Sequence, residues 1–186
     1  PRVIPNIYSY ENERLVLCDI GSINKLSKTN DVISDCYLNV VNHKTISLLK
    51  KQNVKKIGLS WELKDNDLKT LMNNNISKYS NLELPVYGKV ELMIMKHCPI
   101  STNIENGQIC NLCKKNKYEL EDRNNKRYPI CNDRCISTIL NCNNIDRISN
   151  VSEYKNMGIT NFRVELYDET KEETIKIINK LKQNLL

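Results

Sequence analysis

Histidine is scarce in this chain, with two in 186 residues, and aromatic residues reach only 6 %, with one Trp and one Phe. A serine or cysteine hydrolase needs a base beside its nucleophile, so His43 and His97 alone could supply an imidazole. Neither G-x-S-x-G nor H-E-x-x-H occurs, which removes the signals of a hydrolase elbow and a zinc-protease helix. His97 and Cys98 are neighbours, and in an extended segment neighbours point to opposite faces. No apolar run approaches the ~18 residues of a membrane-spanning helix, and no basic-then-apolar leader opens the chain, so a soluble, cytoplasmic protein is expected. The chain begins at Pro1 in residues that read as a strand, and we expect a piece of a longer protein.

What is present is charge of both signs. The net charge of +6 comes from 28 Lys and Arg against 22 Asp and Glu, interspersed as on a solvated surface. It permits a nucleic-acid partner without demanding one. Runs such as "MNNNISKYSN" read as the drift of an AT-rich bacterial genome, because apolar residues keep interrupting them.

Short apolar runs at 2–7, 14–20, 35–41, 54–60 and 82–88 read as strands. Helical stretches lie between the later ones, "HKTISLLKKQN" capped by Asn42 and "KDNDLKTLMNNN" capped by Asp65. This alternation predicts an α/β fold with a parallel sheet, either a small open sheet or part of a (β/α) barrel. A full barrel takes about 250 residues, so edge strands are expected to be covered or paired, possible homo-oligomer formation included. Residues 1–95 form the first region and 96–145 a cysteine-rich segment, and 146–186 read as helix, strand and amphipathic helix packing back on the sheet.

Eight cysteines divide unevenly. Cys18 and Cys36 sit in apparent strands and read as core. Cys98, Cys110, Cys113, Cys131, Cys135 and Cys142 cluster, and thiols clustered in a cytoplasmic protein point to metal. Cys110 and Cys113 form a C-x-x-C, a chelating pair; Cys98 ends the run "VELMIM", and Cys135 opens the apparently helical "CISTILN", with Cys131 as its alternative. Four thiolates suit zinc or an iron–sulfur cluster equally. Asp19, Asn39, Asn42, Ser60 and Glu62 stand at carboxyl ends of strands, where parallel folds bind substrate, although each is also a cap or turn residue. Between positions 114 and 135 seven basic residues face four acidic ones, and Tyr118 and Tyr128 could stack on RNA bases.

The stretch "LPVYGKVELMIMKHCPI", followed by "CNLC", "KYELEDRNNKRYPI" and "CISTILN", resembles the bacterial collagenase-like peptidase family of unassigned catalytic type, family U-thirty-two. "LVLCDIGSI", "CYLNVVN", "IGLSWEL" and "MGITNFRVEL" are similar to further strands of that family. The resemblance implies the C-terminal half of a (β/α) barrel, a TIM barrel fragment whose partner is the missing N-terminal half of the same protein. It also implies an iron–sulfur cluster (4Fe–4S) on Cys98, Cys110, Cys113 and Cys135, and oxygen-independent hydroxylation of tRNA, rRNA or a quinone precursor. Other relatives were named peptidases or collagenases, so a hydrolase, or a zinc-stabilised binding module without catalysis, stands as the alternative.

Overall fold

A computed structural model describes residues 10–73, 81–104, 111–133 and 135–186. In chain order they form β1 (Arg14–Leu17), α1 (Ile20–Leu26), β2 (Asp31–Ser34), α2 (His43–Lys51), β3 (Lys56–Gly58), α3 (Asp65–Asn73), β4 (Leu82–Gly88) and β5 (Glu91–Met95). There follow α4 (Pro99–Ile104), α5 (Leu112–Lys115), β6 (Tyr118–Glu121), β7 (Arg127–Asp133), β8 (Ile136–Leu140), β9 (Ile145–Asp146), α6 (Val151–Asn156), β10 (Asn161–Val164) and α7 (Lys171–Leu185). The strand expected at 2–7 lies outside the described residues.

The chain divides into two units, one comprising the described residues up to Gly88 with Asp146–Leu186, the other Lys89–Ile145. The first is an α/β unit whose sheet runs β1-β2-β3-β4-β10 with every pairing on this path parallel. Strand alternation sends Val32, Ile57, Leu82, Leu84 and Val86 to one face, where they meet Ile23 of α1, Ile46 and Leu49 of α2, Leu68 and Leu71 of α3, and Tyr154 of α6. Leu181 and Leu185 of α7 pack against this core. Helix ends are set by local chemistry: Asn42 accepts from Thr45 N at 3.0 Å, and Thr170 and Glu173 close a capping box on α7.

Two strand readings are corrected here. Residues 14–20 are not one strand: β1 ends at Leu17, and Asp19 caps α1 by accepting from Ser22 N at 2.7 Å. Residues 35–41 are not a strand either, because Asp35 and Asn39 bracket a 3₁₀ turn over Cys36–Leu38, with Asn39 left-handed at φ 58°. The strand of that βα unit is β2, just before the turn. Cys36 is buried, while Cys18 is only half-buried.

The second unit starts at Lys89 rather than 96, since β5 belongs to its antiparallel sheet, ordered β5-β8-β7-β6. "CISTILN" is strand β8, not a helix. The β-branched Ile136, Thr138 and Ile139 favour the pleat, and Cys135 before them sits at φ 62°, outside helical geometry. Among the described residues no helix is long and apolar enough to cross a membrane.

Candidate functional site

The sheet face of the first unit turned away from its helices carries charge. Asp35 follows the last residue of β2 and accepts from Tyr37 N at 3.2 Å, which starts the 3₁₀ turn. That turn lies across β3 because Gly58 has no side chain. A Cβ there would stand 2.7 Å from both Cys36 N and Ser34 O.

Onto this face β10 delivers Arg163. Its Nε donates to Glu83 Oε1 at 2.7 Å, and its Nη1 donates to Asp35 Oδ1 at 3.3 Å and Glu165 Oε1 at 3.2 Å. Glu165 Oε2 also accepts from Tyr37 OH at 3.2 Å, and Lys56 Nζ reaches Glu83 Oε2 at 3.4 Å. The arginine side chain is 18 % exposed. Burial opposes its charge, but the surrounding acidic groups outweigh that and hold its pKa above the ordinary value. Cys36 Sγ donates to Asp35 Oδ1 at 3.2 Å. Burial first, then the charges of Asp35 and Glu165, push this thiol well above its ordinary value, so near neutral pH it is a protonated hydrogen-bond donor rather than a nucleophile. The cluster ties the ends of β2 and β10 to β4. Sequence reading passed over it, although the charged alternation Arg163-x-Glu165 was its visible trace.

The residues expected at the strand ends are placed as follows. Asp19 and Asn42 are helix N-caps, and Asn39 ends the 3₁₀ turn, where its Oδ1 accepts from Ser60 Oγ at 3.3 Å. Asn42 and Glu62 line one cavity of about 420 Å³ with His43 and Asp67. Asp19 and Asn39 are not among its lining residues.

Three of the second unit's cysteines, Cys98, Cys113 and Cys135, fall toward one end of its sheet, whereas Cys142 follows β8 at the opposite end, beside the start of β5. Met95 and Asn132 both pair with Ser137, so the exit of β5 toward Cys98 lies beside the β7–β8 turn that holds Cys135. Cys98 precedes α4 and its sulfur accepts from Ser101 N at 3.4 Å. Cys113 lies in α5, which touches α4 and leads into β6 at the same end. Cys98, Cys113, Cys131, Cys135 and Cys142 are free of disulfides, with Cys135 exposed and the others half-buried. Cys110 lies outside the described residues, and among those described no group of three or more His, Cys, Asp and Glu is arranged to hold a metal ion. With β8 a strand, Cys135 gains nothing from a helix N-terminus. His97 shares a 3.4 Å hydrogen bond with Thr102 Oγ1. Among the described residues neither histidine is paired with a thiol.

No curated protein and no solved structure matches the chain. The family model described as peptidase family U32 matches residues 1–185. That match runs through both units, the charged sheet face and the cysteine-bearing sheet alike, and the chain therefore belongs to peptidase family U32.

Proposed function

We propose that this chain is the C-terminal half of a (β/α) barrel whose charged sheet face lines the lumen, in a protein that hydroxylates tRNA or rRNA without oxygen. On this reading Cys98, Cys110, Cys113 and Cys135, with Cys131 as the alternative fourth ligand, hold an iron–sulfur cluster. Asp19, Asn39, Asn42 and Glu62 then belong to the substrate mouth. The observation that carries the reading is the sheet register of the second unit, which brings Cys98, Cys113 and Cys135 to one end of one sheet. Membership of the family supports it, as does a parallel sheet with helices on one face, since such sheets are ordinarily covered on both. The edge strands β1 and β10 are where the rest of the protein, or a second copy, pairs.

The peptidase name fits at the level of the family. One observation weighs against a thiol protease centred on this unit: Cys36, beside the arginine cluster, is held protonated. A colourless zinc module would use the same four sulfurs.

The test is iron and acid-labile sulfide content, with the visible spectrum, of the full-length protein purified without air. The expected result is a brown protein that Cys98→Ser, Cys113→Ser and Cys135→Ser each bleach, while Cys142→Ser does not. Bound zinc in the anaerobic sample sinks the cluster, and gelatin hydrolysis that survives Cys110→Ser with Cys113→Ser makes the protein a peptidase.

A further inference from the structure

The second unit sorts its charges by face. Register places Met93, Ile139, Ile130 and Tyr118 in one row across all four strands, with Leu120 and Tyr128 paired beside them on the same face. Alternation sends Glu119, Glu121 and Asp133 to the opposite face, where Glu121 Oε2 accepts from Arg127 Nε at 3.0 Å. Within β6 and β7 themselves the tyrosine face carries no carboxylate, and Asp122 of the connecting turn reaches it through Tyr128. The face is also not sealed, since Leu120 is 41 % and Met93 54 % exposed.

Both tyrosines are anchored at their hydroxyls. Tyr128 OH donates to Asp122 Oδ2 at 3.1 Å, and Tyr118 OH accepts from Asn116 Nδ2 at 3.4 Å. Asp122, the acid of the connecting turn, spends its other oxygen on Asn124 N at 2.8 Å and Lys126 N at 3.0 Å. Exposed cations stand at both ends of the hairpin, Arg123 and Lys126 at the turn and Lys114, Lys115 and Lys117 at the other end. None of these five is drawn into an ion pair among the described residues.

We infer that this face of the β6–β7 hairpin is a contact surface for single-stranded RNA, with bases stacked on Tyr118 and Tyr128 and phosphates running toward the cations at either end. The inference rests on the RNA reading above and gives it a location. Anchored aromatic rings on a sheet, bracketed by unpaired cations, are the arrangement by which proteins bind single strands with little sequence preference. A protein partner seated on the same apolar row would leave these exposed cations at its rim, Lys126 partly offset by Asp122 and the others outside any ion pair among the described residues, which is why charge complementarity favours a polyanion.

The experiment titrates the full chain into a fluorescein-labelled uridylate dodecamer and follows anisotropy at several salt concentrations. Tyr118→Ala should weaken binding about tenfold, and Tyr118→Phe, which keeps the ring, should not. Arg123→Gln with Lys126→Gln should lower the slope of log affinity against log salt by about 1.4, near 0.7 for each phosphate no longer neutralised. Glu119→Gln with Glu121→Gln, on the opposite face, should not weaken it. Circular dichroism checks that each variant is folded. If the unmodified chain binds with a steep salt slope but the Tyr118 and Arg123/Lys126 variants match it, this surface is refuted while the RNA reading stands. If it does not bind RNA at low salt, the RNA reading falls and takes this surface with it. Self-association abolished by Leu120→Lys, without RNA binding, assigns the face to a second copy and likewise overturns the inference.

Discussion

Replacing Arg163 with methionine tests whether the charged sheet face holds the first unit together. The arginine Nη1 lies 3.3 Å from Asp35 Oδ1 and 3.2 Å from Glu165 Oε1, so those two oxygens are at most about 6.5 Å apart. Without the cation they repel by about 2–3 kcal/mol at an effective dielectric constant near 20. The Asp35 and Glu165 side chains are 21 % and 29 % exposed, and solvent relieves part of this. Glu83, 13 % exposed and 2.7 Å from Nε, loses its strongest partner and adds a desolvation cost. The expected loss for Arg163→Met is about 2–4 kcal/mol at neutral pH, overlapping the lower part of the roughly 3–5 kcal/mol for breaking a buried pair because of that solvent. Urea unfolding followed by the fluorescence of Trp61 reads this directly, since the chain has one tryptophan and it is 3 % exposed in this unit. Adding Glu165→Gln to Arg163→Met should recover about 1 kcal/mol or more, because it removes one of the repelling charges. A single variant as stable as the parent, or a double variant no better than the single, refutes the reasoning.

Gly58→Ala should destabilise by about 1–3 kcal/mol or more, read as a lower urea midpoint, because its Cβ meets backbone atoms of the 3₁₀ turn rather than a yielding side chain. An unchanged midpoint would mean that the turn does not lie against β3. Cys36 predicts an alkaline weakening: its thiol is raised above 9.0, so above that pH the unfolded chain releases a proton the folded chain keeps. This contribution is fully present below pH 9 and is lost as pH rises beyond it, at up to about 1.4 kcal/mol per pH unit. Stability curves of the parent and Cys36→Ala should therefore converge between roughly pH 9 and 10.5, and parallel curves would remove the claim.

The α/β alternation was legible because βαβ units write it in two periods, and β3, β4 and β10 stand inside the runs that suggested them. Boundaries failed where short-range hydrogen bonding overrode apolar content. "DCYLNVV" has the composition of a strand, yet Asp35 bonds forward to Tyr37 N and Asn39 turns left-handed, and the run becomes a 3₁₀ turn. In the second unit the periodicity vanished because the two faces of β6 and β7 differ in charge rather than in burial: Glu119 and Leu120 point to opposite faces and are both exposed. A hydrophobicity window cannot see that. The clustering of thiols was visible as spacing, but which of them, Cys98, Cys113 and Cys135, fall toward one sheet end depends on register, which no local signal encodes.

The Arg163 cluster shows what a single sequence withholds and what it leaks. Glu83 and Asp35 lie 80 and 128 residues from the arginine they bind, so the pairing itself is unreadable from the chain. Parity is readable: in "NFRVEL" Phe162 and Val164 flank Arg163, and Glu165 follows in step with it, placing apolar side chains on one face and charges on the other. A parallel strand buried on both faces should read as a continuous apolar run. One that alternates this way announces a face that is not hydrophobic core, and a partly buried arginine there requires carboxylates from neighbouring strands to neutralise it. Asp35, Glu83 and Glu165 meet that requirement. With Lys56 also reaching Glu83, three acids share two cations, and the cost of that arrangement is tolerable only on a face that keeps some water or meets a polar partner, not under a second hydrophobic layer.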